Sequence, residues 1–210
     1  MMISFNYLFQ KFHIHPKGVI HLGASTGQEM ATYRQFNMSP VVFVEAIPSV
    51  FEQLKKNIAS YPEAIAYNEC IGDEDGKEVY FNVSNNEGQS SSYLELEHHA
   101  VIHPTVHYVE TIKMTTKTVA SIVKEHNLDI NQFDFLNCDL QGVELLALKG
   151  MKDLLSHFNW LYLEVNKVHV YRNCALVEEI DEYVRKWGFE RVETGNWVAD
   201  SWTDALYQKQ

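Results

Sequence analysis

Apolar residues recur along this chain in two alternating rhythms. Val19-Ile20, VVFVEA (41–46), IAYNEC (65–70), FDFLNCD (133–139) and WLYLEV (160–165) are short apolar runs without clean alternation. Such runs mark parallel strands covered on both faces. Between them, residues 26–36, 49–60, 118–127, 143–157 and 174–187 place apolar side chains at helical spacing. Strands alternating with helices predict an α/β fold, a mostly parallel open sheet with helices on both faces. Thr26 with Glu29, and Ser49 with Glu52, have the spacing of a capping box, and Gly188 sits where a helix stops in the left-handed conformation. Phe5, Leu8, Phe9 and Phe12 recur at helical spacing, which predicts a short amphipathic helix within residues 1–16. FERVET and DALYQK, joined by a loop containing Gly195-Asn196, read as two closing strands.

One stretch breaks the rhythm. Within residues 74–117, EDGKEVYFNV predicts a turn and a strand, SNNEGQSSSYL a polar loop, and VHYVETIKMTT a second strand. An excursion of that length usually overhangs the strand ends where ligands bind, so it is expected to cover the site and set acceptor specificity. At 210 residues the whole chain, 1–210, is expected to be one domain.

Charge narrows the partners. A formal net charge of -11, with no dense Lys/Arg stripe, opposes attraction to a phosphate backbone, so nucleic acid is not the expected partner. No apolar run approaches the roughly 20 residues of a membrane span, and MMISFNYLFQKF has neither a basic start nor a small-residue cleavage site. Cys70, Cys138 and Cys174 are odd in number, and two of them close apolar runs, which fits buried reduced thiols and a cytoplasmic protein. No oligomeric state is read from the chain.

The candidate chemistry starts at HLGASTG (21–27), the turn after the first strand. In an open α/β sheet this turn is the default ligand cradle. A dinucleotide would call for G-x-G-x-x-G, and the third glycine is missing here. Glu45 ends the second strand, followed by Ala46, where an acid meets a ribose diol. A glycine turn plus a ribose acid without a phosphate clamp points to S-adenosylmethionine, with Gly23, Ala24, Ser25 and Gly27 at the turn. The rivals are a nucleotide-dependent oxidoreductase, disfavoured by the missing glycine, and a fold that binds S-adenosylmethionine or a partner without turnover.

VIHLGASTGQE, VFVEAIPSVFEQLKKN, NECIGDEDGKEVYF, GQSSSYLELEHH and FDFLNCDLQGVELLALKGM occur in this order, and the run from Asp139 to Gly150 reads D-L-Q-G-V-E-x-x-x-L-K-G. From about Val19 to the closing DALY, the chain resembles the FkbM family of methyltransferases. The resemblance implies a Rossmann-like class I methyltransferase fold, with a seven-stranded sheet ending in an antiparallel strand. It also implies S-adenosylmethionine as donor and a hydroxyl acceptor on a sugar, glycan or small secondary metabolite. His21 departs from the pattern, standing where such enzymes commonly carry an acid, so Glu29 or a backbone carbonyl is expected to serve the methionine ammonium.

Further roles follow. Asp139 ends a strand before Gln141-Gly142 and is expected near the sulfonium, with Gln141 beside it, whereas Asp73 is expected at the adenine end. Glu144 is expected to be structural, complementing a helix dipole. His98, His99, His103 and His107 do not make a zinc face, because Pro104 interrupts any helix that would align them. His99 follows the serine loop at the spacing seen in the family and is expected to be the general base, with Asp139 as its catalytic companion. An ordinary histidine pKa near 6.5 would suit that role. The alternative mechanism is a divalent metal, Mg²⁺ or Mn²⁺, held by oxygens of Asp139, Glu164 and Asn166.

Overall fold

In the computed structural model, which describes residues 3–210, the expected rhythm becomes a sheet with helices on either face. The first half runs α1 (Phe5–Lys11), β1 (Gly18–Leu22), α2 (Met30–Gln35), β2 (Val41–Glu45), α3 (Pro48–Ile58), β3 (Ala64–Asn68), β4 (Cys70–Ile71) and β5 (Glu78–Ser84). The second runs α4 (His99–Ile102), β6 (Tyr108–Lys117), α5 (Val119–Glu125), β7 (Phe133–Cys138), α6 (Glu144–Met151), β8 (Trp160–Asn166), α7 (Val177–Arg185), β9 (Phe189–Thr194) and β10 (Trp202–Lys209). Residues 1 and 2 of the expected N-terminal helical segment lie outside the described residues.

Seven strands form the main sheet in the order β3-β2-β1-β7-β8-β10-β9. Only β10 runs against its neighbours, pairing antiparallel with both β8 and β9. A seven-stranded sheet with one antiparallel strand is the architecture that the family resemblance implies, and β1, β2 and β7 are buried along their whole length. Phe5, Leu8, Phe9, Tyr33 and Leu54 of α1 to α3 cover one face over Val19, Phe43 and Phe135. Val119, Ile122, Leu148, Ile180 and Val184 of α5 to α7 cover the other over Ile20, Val42, Leu136 and Leu163. Each such apolar side chain removed from water contributes about 1.5–3 kcal/mol. Among the described residues, no helix is long and apolar enough to cross a membrane.

Several local expectations change. IAYNEC was expected as one central strand, but it divides. β3 is the edge of the main sheet and only half-buried, while β4 joins β5 and β6 in a separate three-stranded sheet. Neither capping box forms. Pro48 opens α3 at its first turn, a position suited to its missing N–H, and the Ile47 N–H is taken by Glu45 instead. Gly27 turns the chain at φ +77°, so α2 begins only after Glu29. The helix expected over 143–157 ends at Met151, where Lys152 adopts φ +52° and a 3₁₀ turn follows. Gly188 does end its helix, at φ +85°.

Candidate active site

A cleft of about 580 Å³ opens at the C-terminal ends of β1, β2, β7 and β8. The strands supply its floor, and the excursion between β5 and β6 supplies Asn86, Gln89, Ser90, Ser91, Tyr93 and His99. Of the residues expected to bind cofactor, His21, Gly23, Ala24, Ser25, Glu29, Glu45, Ala46, Asp139 and Gln141 line this one cleft. Gly27 and Asp73 are not among the lining residues. A Cβ on Gly27 would meet Leu54 Cδ1 of α3 at 2.6 Å, so this glycine serves packing. Asp73 belongs to a turn whose neighbour Asp75 takes the Thr118 N–H at 2.7 Å, fixing the start of α5, while Glu69, Cys70 and Ile71 reach the cleft.

Gly23 answers to the backbone. At φ +77°, a Cβ there would fall 1.7 Å from the carbonyl oxygen of Asp139, because the turns after β1 and β7 press together. Ser25 at φ +47° and Gln141 at φ +56° are left-handed non-glycine residues flanking the same seam. Conformations of this kind persist only where the surroundings over-determine them, and they cluster at ligand sites.

The side of the cleft beside β1 and β2 is acidic. Glu45 accepts the Ser25 N–H at 2.9 Å and the Ile47 N–H at 2.8 Å, and burial pushes its carboxyl up to about 7. Glu29 is raised by burial as well, and its Oε2 is buried without a hydrogen-bond partner among the described residues. Tyr33 Oη lies 3.1 Å from His21 Nδ1 and accepts the Asn137 Nδ2–H at 2.7 Å. Burial lowers the His21 pKa to about 4, so the ring is neutral near pH 7.

Gln141 organises the opposite side. Its Nε2 donates to Asp139 Oδ1 at 2.5 Å and Glu164 Oε2 at 2.7 Å, while its Oε1 accepts the Tyr171 hydroxyl at 2.5 Å. The amide therefore stands between the two carboxylates proposed as metal ligands. Asn166, the third, is fully buried away from the cleft lining, with both amide atoms unpartnered among the described residues. Asn166 is thus absent from the lining that Asp139 and Glu164 share. No group of three or more His, Cys, Asp or Glu among the described residues is placed to hold a metal. Glu144 is structural, as expected: it lies in the first turn of α6, and its Oε1 also clamps the preceding turn by accepting the Leu140 and Gly142 N–H groups at 2.8 and 3.1 Å.

His99 reaches the cleft from α4, and its environment differs from the expectation. It is 5% exposed, its Nε2 lies 3.0 Å from Ser90 Oγ, and its Nδ1 is buried without a partner among the described residues. Burial, then the neighbouring His103, lowers its pKa to about 4 rather than leaving it near 6.5. It is neutral at physiological pH and a weaker base than an exposed imidazole. Asn137, Tyr162, Tyr171, Trp202 and Asp204 also line the cleft and were not anticipated. The one sequence sign was the closing DALY: β10 runs back along β8 with Asp204 directly opposite Glu164. Burial raises the Asp204 carboxyl to about 6.

Six carboxylate residues line the cleft, Glu29, Glu45, Glu69, Asp139, Glu164 and Asp204, with no Lys or Arg beside them. Burial without an opposite partner raises Glu29, Glu45 and Asp204, so the lining favours a ligand that brings positive charge and offers no cation to a diphosphate. Comparisons agree with the geometry. A structure of the methyltransferase FkbM from Methylobacillus flagellatus KT superposes with a TM-score of 0.60 at 14% identity, over 91% of this chain and 43% of that one. This chain thus spans less than half that relative's length. M. capricolum TrmK in complex with S-adenosyl-homocysteine superposes with a TM-score of 0.53 at 10% identity, covering 100% of this chain and 69% of that one. Magnesium protoporphyrin IX methyltransferase from Synechocystis PCC 6803, with bound SAM, gives 0.51 at 10% identity, over 98% of this chain and 76% of that one. At these identities the likenesses establish the fold. No curated protein matches the sequence. The methyltransferase FkbM domain profile matches residues 21–191, most of the chain, and the protein belongs to the FkbM methyltransferase family.

Proposed function

We propose that the protein is an S-adenosylmethionine-dependent O-methyltransferase acting on a hydroxyl of a sugar, glycan or small secondary metabolite. The observation that carries this reading is the cleft lining: carboxylates on the floor, neutral hydrogen-bonding side chains from the excursion, and no cationic side chain. When bound, the donor supplies a methyl group on a positively charged sulfur. The turn Gly23-Ala24-Ser25 cradles it, Glu45 and Ala46 meet the ribose, Glu29 takes the ammonium through its unpartnered oxygen, and Asp139 faces the sulfur.

Acceptor recognition falls to the excursion. Asn86, Gln89, Ser90 and Ser91 offer donors and acceptors matched to hydroxyl groups, and the segment covers the site as a lid. Neutral His99 accepts the proton that the acceptor hydroxyl loses, and the Gln141 amide keeps Asp139 and Glu164 in register with it. The net charge of -11 and the cation-free cleft argue against nucleic acid as acceptor. Three buried, unpaired cysteines fit a reducing cytoplasm.

The test is release of S-adenosylhomocysteine from S-adenosylmethionine across a panel of acceptors. Uncharged sugars and polyols should be methylated, and their phosphorylated counterparts should react at least about tenfold more slowly, because a phosphate would sit unpaired among carboxylates. Turnover confined to RNA, or to amines without hydroxyls, would sink the proposal.

A further inference from the structure

Glu164 and Asp204 face each other at the β10 side of the cleft. The antiparallel pairing of β8 with β10 sets them directly opposite, which brings their Cβ atoms to within about 4.5–5.5 Å on one face of the sheet. Both are 5% exposed, both line the cleft, and no Lys or Arg lines it with them. Like charges directly opposed on neighbouring strands repel, and a low-dielectric setting strengthens the repulsion. Glu164 Oε2 has a neutral donor, the Gln141 amide at 2.7 Å, whereas Asp204 Oδ2 is buried without a hydrogen-bond partner among the described residues. Burial, then the Asp139 charge, raises both carboxyls, Asp204 to about 6. Trp202, two positions from Asp204 along β10, and Tyr162, two from Glu164 along β8, line the same cleft and supply rings of the kind that attract a cation.

Strand spacing separates this pair from the donor. In the order β2-β1-β7-β8-β10, steps of about 4.8 Å place β8 roughly 14 Å and β10 roughly 19 Å from β2, whose end carries Glu45. With the ribose at Glu45 and the sulfur at Asp139, just past β7, the donor's positive charge is met before β8 is reached. We infer that Glu164 and Asp204 form a subsite for a protonated amine on the acceptor, so that the substrate class is hydroxyl compounds that also carry an amine, such as amino sugars and amino polyols. The inference rests on the O-methyltransferase reading above and names the acceptor of that same site. Transfer leaves the amine untouched: the methyl passes from the sulfonium to the hydroxyl oxygen, the hydroxyl proton goes to His99, and S-adenosylhomocysteine leaves. A protonated amine has no lone pair, so two carboxylates that hold it charged also keep its nitrogen from taking the methyl.

Matched acceptors test this: glucosamine against glucose, serinol against glycerol, and N-acetylglucosamine as an amino sugar without its charge. At pH 7 each free amine should exceed its neutral counterpart in kcat/KM by about 10- to 100-fold, as hydrogen bonds between charged partners imply, and N-acetylglucosamine should fall with glucose. Asp204→Asn and Glu164→Gln keep the shape without the charge, and each should cut the amine advantage to within about threefold. Calorimetry with S-adenosylhomocysteine checks that each variant is folded; if neither is, the wild-type ratios decide alone. Mass spectrometry should find the new methyl on oxygen. Equal turnover of the matched acceptors by the wild-type protein overturns the inference alone. So does an amine advantage that persists undiminished in both folded variants, or a methyl found on nitrogen. Failure to methylate any of the five overturns the reading of a sugar or polyol hydroxyl as acceptor as well.

Discussion

Gly23→Ala is expected to lose about 2–5 kcal/mol of stability, the combined cost of a left-handed non-glycine residue and of overpacking a filled site. The reason is local and cannot be evaded by a rotamer change. The new Cβ would lie 1.7 Å from the Asp139 carbonyl oxygen, both atoms being fixed to backbone, so the turns after β1 and β7 would have to separate. That seam also carries the Asp139 N–H to Leu22 O hydrogen bond at 3.1 Å. Gly76 provides the control: it has the same φ of +77°, yet a Cβ there meets nothing within 4 Å. Thermal unfolding should place Gly23→Ala about 5–15 °C below the wild type, with Gly76→Ala only a few degrees down. Equal losses in the two variants would show that the contact with Asp139 is not the constraint. The variant should also lose S-adenosylhomocysteine affinity, as a consequence of the displaced seam rather than of a direct clash with ligand.

Replacing His99 by alanine should lower kcat by about two to four orders of magnitude while leaving S-adenosylhomocysteine affinity nearly unchanged. In the proposed reaction the acceptor hydroxyl loses a proton as the new C–O bond forms, and His99 is a neutral imidazole that the excursion brings into the cleft. The pH dependence follows from the direction of its shift. The active form is the free imidazole, which persists above the lowered pKa of about 4 and disappears as pH falls through it. The limb of kcat/KM assigned to this residue should therefore lie near pH 4, well below the pH 6.5 of an exposed histidine. A profile measured in wild type and His99→Ala between pH 4 and 8 checks this. An acid limb at 6.5 that vanishes in the variant would mean the ring is solvated in the working enzyme. Weakened cofactor binding with unchanged kcat would make His99 a structural residue of the excursion.

The β1, β2, β7 and β8 strands were legible because a parallel strand packed on both faces has to be apolar throughout. The same composition misled at IAYNEC, since an apolar run does not reveal whether one face or two will be covered: β3 became a half-buried edge and β4 left the sheet. Local capping signals failed where a stronger local constraint intervened, as Pro48 did at the start of α3. Within the cleft, residues that follow strand ends were legible in Glu45 and Asp139. Residues delivered by long-range pairing were not. Asp204 and Trp202 reach the cleft through the antiparallel return of β10 along β8, of which the closing DALY was the one sign, and Tyr171 through its bond to Gln141, which leaves no mark in local spacing. Gly23 was legible as a position that must lack a side chain, and the close approach the structure shows there is that of the Asp139 backbone, which demands the same residue as an approaching ligand would. The lowered pKa of His99 depends on burial that a serine-rich loop does not advertise.

The central claim is that this cleft holds S-adenosylmethionine rather than a dinucleotide, and a calorimetric titration of the wild-type protein with S-adenosylhomocysteine and, separately, with NAD tests it most directly. The carboxylate lining, with Glu45 at the end of β2, and the absence of a lining Lys or Arg predict saturable one-to-one binding of S-adenosylhomocysteine, with NAD weaker by at least about two orders of magnitude. Binding of NAD as tight as that of S-adenosylhomocysteine, or no binding of S-adenosylhomocysteine at all, would contradict it.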